Sequence, residues 1–148
     1  MKHKIWKIFL IIFILAFFLN LLWEVSHSLL YDWNTLPLEN IVSYCVPKIL
    51  KSTLGDGFYI TLIFIINSLF RKNLKWINKP KKIDYVILII LGVIFAIFIE
   101  IKAKIFNLWA YNQYMPTIFG IGLTPLIQLA IVSILVLLII SKVTSSHP

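Results

Sequence analysis

Apolar residues run almost unbroken over about 5–24, 52–70, 83–100 and 118–141, separated by short clusters of charge, proline and aromatic residues. A hydrocarbon core about 30 Å thick needs about 20 helical residues, so each run predicts a membrane-spanning helix. The expected fold class is all-α: a polytopic membrane protein with four transmembrane helices in one domain over 1–148. The connection at 25–51 is long, and its Pro37 and Pro47 argue against a continuous helix there. Tyr31, Trp33 and Tyr44 in it suit the headgroup level, where amphipathic rings anchor. The second connection, RKNLKWINKPKK, reads as a short turn in which Trp76 is another interfacial anchor.

Composition agrees with this pattern and charge orients it. The chain has 148 residues, is 60% hydrophobic and carries a formal net charge of +8. In a soluble protein that charge would suggest nucleic acid. Here Lys2, Lys4 and Lys7 precede the first run, Arg71, Lys72, Lys75, Lys79, Lys81 and Lys82 fill the second connection, and Lys142 follows the fourth run. The positive-inside rule makes all three segments cytoplasmic. The expectation is an integral protein of the cytoplasmic (plasma) membrane with both termini inside, in contact with the lipid bilayer and with no nucleic acid. The basic segments then set topology and attract anionic headgroups.

A Lys-rich start before an apolar run also fits a signal peptide. The run is too long and no small-residue cleavage site follows, so a retained helix is expected. The single Cys45 excludes an internal disulfide and a multi-cysteine metal site. His3 and the His147 of the SSHP tail have no polar neighbourhood that would make them ligands.

Sliding the chain by 76 positions sets EVSHSLLYDW (24–33) over EIKAKIFNLW (100–109), each with a Glu closing its run and a Trp nine residues on. A shift of 65 sets GDGFYITL over GIGLTPLI. Two halves that start and end on one side would be parallel repeats.

The polar residues inside this apolar chain are few, and they collect near one end of the runs. Asn20, Glu24, His27 and Tyr31 follow i, i+4, i+7, i+11, one face of a helix. Counting from the basic segments puts Glu24 and Glu100 just inside the opposite boundary, Asp56 about 8 Å below it at about 1.5 Å per residue, and Gln128 deeper. A carboxylate in hydrocarbon costs a few kcal/mol, about 2.5–3.5 on insertion scales, and such residues usually face a bundle interior and mark function. Asp56 could instead cap its helix or pair with Lys51, and Glu100 could pair with Lys104 at i+4. His27 either hydrogen-bonds Glu24 and exchanges a proton with it or meets water at the headgroup layer. One His and a few carboxylates without an HxxxH or HxxE pair give no expected metal site. Trp23, Tyr31, Trp33, Trp109, Tyr111 and Tyr114 crowd the same side, as an aromatic belt or as rings that stabilise a cation.

Glu100, then WAYN at Trp109–Asn112, Tyr114, Gly120 and the pair Pro125–Leu126 resemble the integral-membrane lycopene cyclases, the small heterodimeric or fused helical type. That family carries an acid, a Trp about nine positions on, an aromatic–Asn pair, a Gly-containing stretch and a Pro-Leu-Glu-Glu motif opening the next helix. The resemblance covers roughly 100–128, with a weaker echo at 24–33. It departs where the family has its acidic pair, for Ile127 and Gln128 stand there. PLEN at Pro37–Asn40 lies outside a clear run, so no catalytic role is carried onto Glu39.

The resulting expectation is a membrane enzyme acting on an isoprenoid or similar lipid, by cofactor-independent cyclisation or isomerisation in a pocket of the outer leaflet. Asp56 or Glu100 would be the acid, and Glu24 with His27 would remove a proton. Asn20, Trp23, Tyr31, Trp109, Tyr111, Asn112 and Gln128 would line the substrate site. The alternative is a non-catalytic lipid-binding or assembly subunit, or a small-solute carrier working as a homo-oligomer, with the polar cluster serving as interhelical glue.

Overall fold

The computed structural model describes residues 2–33 and 41–145, so Pro37, Glu39 and His147 lie outside the described residues. Four helices account for the fold: α1 (Lys2–His27), α2 (Ile41–Arg71), α3 (Lys82–Phe106) and α4 (Leu123–Ser145). A single 3₁₀ turn, Ser28–Leu30, follows α1. All four helices are long and apolar enough to cross a membrane, over Trp6–Leu30, Ser43–Arg71, Lys82–Phe106 and Leu123–Val143. Mean hydropathy over three of these segments is 2.6–2.7, but it is 1.5 for α2. That helix carries Lys48, Lys51, Ser52 and Asp56 along one side.

The helices alternate in direction. Arg71, ending α2, pairs with Asp84 at the start of α3 (Nε–Oδ1 3.3 Å). The segments following α1 and α3 meet at the opposite end, where Tyr31 and Tyr111 form an antiparallel bridge. α1 packs chiefly on α2 and α3 chiefly on α4, with thinner α1–α4 and α2–α3 seams. Fully buried Ile12, Ile60, Phe64, Leu88 and Val136 fill the centre. Leu10, Phe18, Ile94, Phe98 and Leu138 point outward, as expected of residues meeting lipid tails. The closest approach is between α3 and α4 at Gly92, where an added Cβ would lie 2.7 Å from the Ala130 backbone. Small residues allow such contacts between membrane helices.

Several boundaries differ from the sequence expectation. α2 starts at Ile41 and runs through Pro47. Proline removes one helical hydrogen bond and crowds the preceding turn. Here the loss falls near the helix start, before Thr53, the first buried residue described on this helix. α3 passes Glu100 to Phe106 because Ala103 is still buried. It stops where Asn107 turns left-handed (φ 48°) and Leu108 N–H bonds Ala103 O at 3.0 Å, a common helix ending.

The stretch expected to open the fourth helix at 118 is instead a tight hairpin, β1 (Thr117–Ile118) and β2 (Ile121–Gly122). Phe119 and Gly120 turn it with φ of 54° and 74°, the positive pair that a two-residue hairpin turn of this hand requires. Lys104 Nζ donates to Phe119 O at 3.0 Å, so Lys104 braces the hairpin rather than pairing with Glu100. Trp76 is not an interfacial anchor: it is 2% exposed, packs on Phe64 and donates to Ser68 Oγ at 3.0 Å.

Candidate functional site

Gln128, on the second turn of α4, reaches into the bundle and gathers polar groups from two other helices. Its Nε2 lies 3.0 Å from Asn20 Oδ1, 3.1 Å from Glu24 Oε1 and 2.8 Å from Asp56 Oδ2. Asn20, on α1, uses its own Nδ2 to donate to Ala16 O at 2.9 Å, which leaves Oδ1 for Gln128. The Glu24 and Asp56 carboxyls are also within hydrogen-bonding reach of each other. An amide NH₂ has two protons for these three acceptors. A proton held between the two carboxyls completes the network and removes the repulsion of like charges at that range.

Glu100, on α3, is held separately. Its Oε1 accepts from the Tyr111 hydroxyl at 2.7 Å and its Oε2 from Gly122 N–H at 3.4 Å, while Trp109 Nε1 donates to the same Tyr111 oxygen at 2.9 Å. Tyr111 follows α3 and Gly122 ends the hairpin, so the loop and the strand pair aim donors at one carboxylate. Burial, then the adjoining Glu100, pushes the Tyr111 phenol well above its ordinary range. Burial, then the Glu24 charge, does the same for Tyr31. Both phenols therefore remain protonated donors at any ordinary pH.

These groups surround a cavity of about 290 Å³. Of the expected site residues, Glu24, Asp56, Glu100, Tyr31, Trp109 and Gln128 line it. Asn20 stands behind Gln128 and Tyr111 behind Glu100. Gly55 leaves the wall beside Asp56 bare, since an added Cβ there would meet nothing within 4 Å.

Other expectations do not match the geometry. His27 does not pair with Glu24: its Nε2 lies 2.7 Å from Thr124 Oγ1, and its buried Nδ1 has no hydrogen-bond partner among the described residues. The same Thr124 hydroxyl lies 3.2 Å from Met115 Sδ, so Thr124 links His27 to the loop before the hairpin. Helical spacing put His27 on the Glu24 face but could not reveal that Thr124 would meet it from α4. Asn112 is a latch rather than part of the cavity wall, because its Nδ2 donates to Leu29 O at 2.8 Å and Tyr31 O at 3.4 Å. Trp23 is half-buried, its indole N–H has no partner among the described residues, and it stands apart from the cavity lining.

Asp56 bonds Gln128 and Glu24 rather than Lys51. Lys51, expected at most as a partner of Asp56, lines the cavity together with two lysines that have no place in the sequence expectation, Lys48 and Lys102. The available signal was their spacing, because Lys48, Lys51, Ser52, Gly55, Asp56 and Tyr59 fall on one helical stripe. Among the described residues, no group of three or more His, Cys, Asp or Glu is disposed to hold a metal ion. No family model, curated protein or solved structure matches this chain.

Proposed function

We propose that this integral membrane protein is an enzyme that moves a proton on an unsaturated lipid, isomerising or cyclising it without a redox cofactor. The carrying observation is that carboxyls from three helices face one cavity under two different arrangements. Glu24 and Asp56 adjoin each other and share Gln128, whereas Glu100 accepts from Tyr111 and Gly122. Environments that separate the behaviour of like groups are how one site supplies both an acid and a base.

The Glu24–Asp56 pair, holding one proton, is the acid. It delivers the proton to one alkene carbon, the π bond supplies the electrons for the new C–H bond, and positive charge appears on the neighbouring carbon. Tyr31 and Trp109 present aromatic rings to that cation. Glu100, as carboxylate, removes a proton from an adjacent carbon, and those C–H electrons form the new double bond. If the cation is first attacked by a second alkene of the same chain, the product is cyclic. Proton exchange with water then resets both carboxyl sites. This assignment differs from the sequence expectation by giving the base to Glu100 and leaving His27 out of the proton path.

The resemblance of 100–128 to the membrane lycopene cyclases favours an isoprenoid among unsaturated lipids. With the basic segments on the cytoplasmic side of the plasma membrane, the cavity opens toward the outer leaflet. The rival reading, a polar cluster serving as glue, does not account for acidic side chains lining open space when they could be packed.

The test is lipid mass spectrometry of a host making polyprenyl lipids and lycopene, with and without the protein. A product isomeric with a host lipid is expected, and it should vanish in Asp56→Asn and Glu100→Gln. Wild-type turnover in both variants, or no altered lipid at all, would remove the proposal.

A further inference from the structure

The fourteen Lys and Arg residues divide unevenly along the chain. Ten lie in the first turns of α1, around the α2–α3 turn or near the end of α4. The other four, Lys48, Lys51, Lys102 and Lys104, sit at the cavity end of the bundle. Lys104 is spent on the hairpin, donating to Phe119 O. The remaining three line the same cavity as the carboxyls.

None of the three serves as a counter-ion to those carboxyls. Glu24 and Asp56 accept from Gln128 and bond each other, and Glu100 accepts from Tyr111 and Gly122. Arg71 and Asp84 do form an ion pair, but at the far end of the bundle. Lys48 is steadied by rings instead: its Nζ lies 5.6 Å from the Trp33 centroid and 5.5 Å from that of Tyr44. Three ammonium groups on one small cavity repel one another, and an anion among them relieves that repulsion with charge-assisted hydrogen bonds.

Resting on the proposed site, we infer that Lys48, Lys51 and Lys102 bind the phosphate of a lipid substrate, so that the substrate is an anionic prenyl phosphate or a similar lipid and not a neutral polyene. The arrangement along α2 supports this. Lys51 and Lys48 precede Asp56 by five and eight residues, placing the acid about 7–12 Å further along the helix at about 1.5 Å per residue. A phosphate at the lysines puts the first double bonds of an attached chain, rather than its middle, beside the carboxyls. The cavity volume, about 290 Å³, sits at the lower edge of the range of about 300–1,000 Å³ usual for ligand sites. It therefore takes the headgroup end and leaves the remaining chain in the bilayer.

The experiment measures binding, by intrinsic tryptophan fluorescence, to the full-length protein in phosphatidylcholine nanodiscs. The probes are geranylgeranyl monophosphate, geranylgeraniol and inorganic phosphate. The monophosphate should bind at least about tenfold tighter than the alcohol, about 1.4 kcal/mol, and its affinity should fall with added salt. Lys51→Gln/Lys102→Gln should erase that difference, and Lys75→Gln at the opposite end should keep it. Equal affinity for alcohol and monophosphate, or an unaltered preference in a well-folded double variant, would overturn the inference. Inorganic phosphate binding as tightly as the prenyl phosphate would also overturn it, assigning the rim to a free anion. Lysine-dependent binding without any turnover would sustain the inference and end the enzyme reading. Turnover of a neutral polyene unaffected by the lysine changes would do the reverse.

Discussion

Gln128→Leu removes the one group that touches Asn20, Glu24 and Asp56 together while keeping a side chain of similar size. Three acceptors lie within 3.1 Å of Nε2, but the amide has two protons, so two full hydrogen bonds are lost. Interhelical hydrogen bonds in membranes average about 0.6 kcal/mol, which sets a floor near 1 kcal/mol. Bonds to ionised groups are worth about 1.5–3 kcal/mol each, which at the lower value sets a ceiling near 3. Water in the cavity can reach half-buried Asp56, but not Asn20, which is 0% exposed, and scarcely Glu24 at 4%. The expected loss is therefore about 2 kcal/mol, between the floor and the ceiling. Reversible unfolding in mixed micelles, following helicity against the fraction of denaturing detergent, measures it. Gln128→Glu should cost at least as much, because it adds a carboxyl to two already in contact. A loss below about 0.5 kcal/mol, within the range of ordinary surface substitutions, would refute the view that Gln128 holds the carboxyl pair in place.

Gly55→Leu should raise stability by about 0.5–1 kcal/mol through helix propensity while abolishing ligand binding, since the new side chain enters space that meets nothing within 4 Å; loss of both properties would contradict the described wall. Gly92→Val should destabilise by about 1–3 kcal/mol or more, because its Cβ would lie 2.7 Å from Ala130 backbone atoms; an unchanged unfolding midpoint would mean that α3 and α4 are not so close. Tyr111 keeps its proton in the folded state above the ordinary phenol value, raised first by burial. The unfolded chain then loses that proton first, so this contribution is complete below about pH 10 and falls as pH rises further. Tyr111→Phe should flatten that alkaline decline in unfolding curves, and a decline as steep as in the wild type would exclude Tyr111 as its source.

Helix number was legible because four apolar runs of spanning length admit little else. Glu24, Asp56, Glu100 and Gln128 were legible as a group for a related reason: an unpaired charge is costly in hydrocarbon, so polar residues at similar depth on different helices tend to meet. Depth can be counted along a chain, but azimuth is settled only by packing, and for that reason His27 was given the wrong partner. Trp76 was misread because a Trp among lysines looks interfacial, whereas the α2–α3 turn folds it onto Phe64. The lysine rim is not legible in the sequence because Lys48 and Lys51 on α2 and Lys102 on α3 share a cavity only once the helices pack. Hairpin 117–122 hid inside an apolar run, marked only by the glycines that its turn and close contacts need.

The backbone bridge between the two aromatic loops bears on how the protein would meet bilayers of different thickness. Asp32 N–H bonds Ala110 O at 2.9 Å and Asn112 N–H bonds Leu30 O at 3.0 Å, tying together the segments that follow Glu24 and Glu100. Helices adapt to a thinner or thicker bilayer mainly by changing tilt. With those ends joined beyond the spans, such tilting pivots about the tie and leaves the spacing between the paired carboxyls and Glu100 nearly constant. The geometry of the cavity should accordingly vary little with lipid chain length.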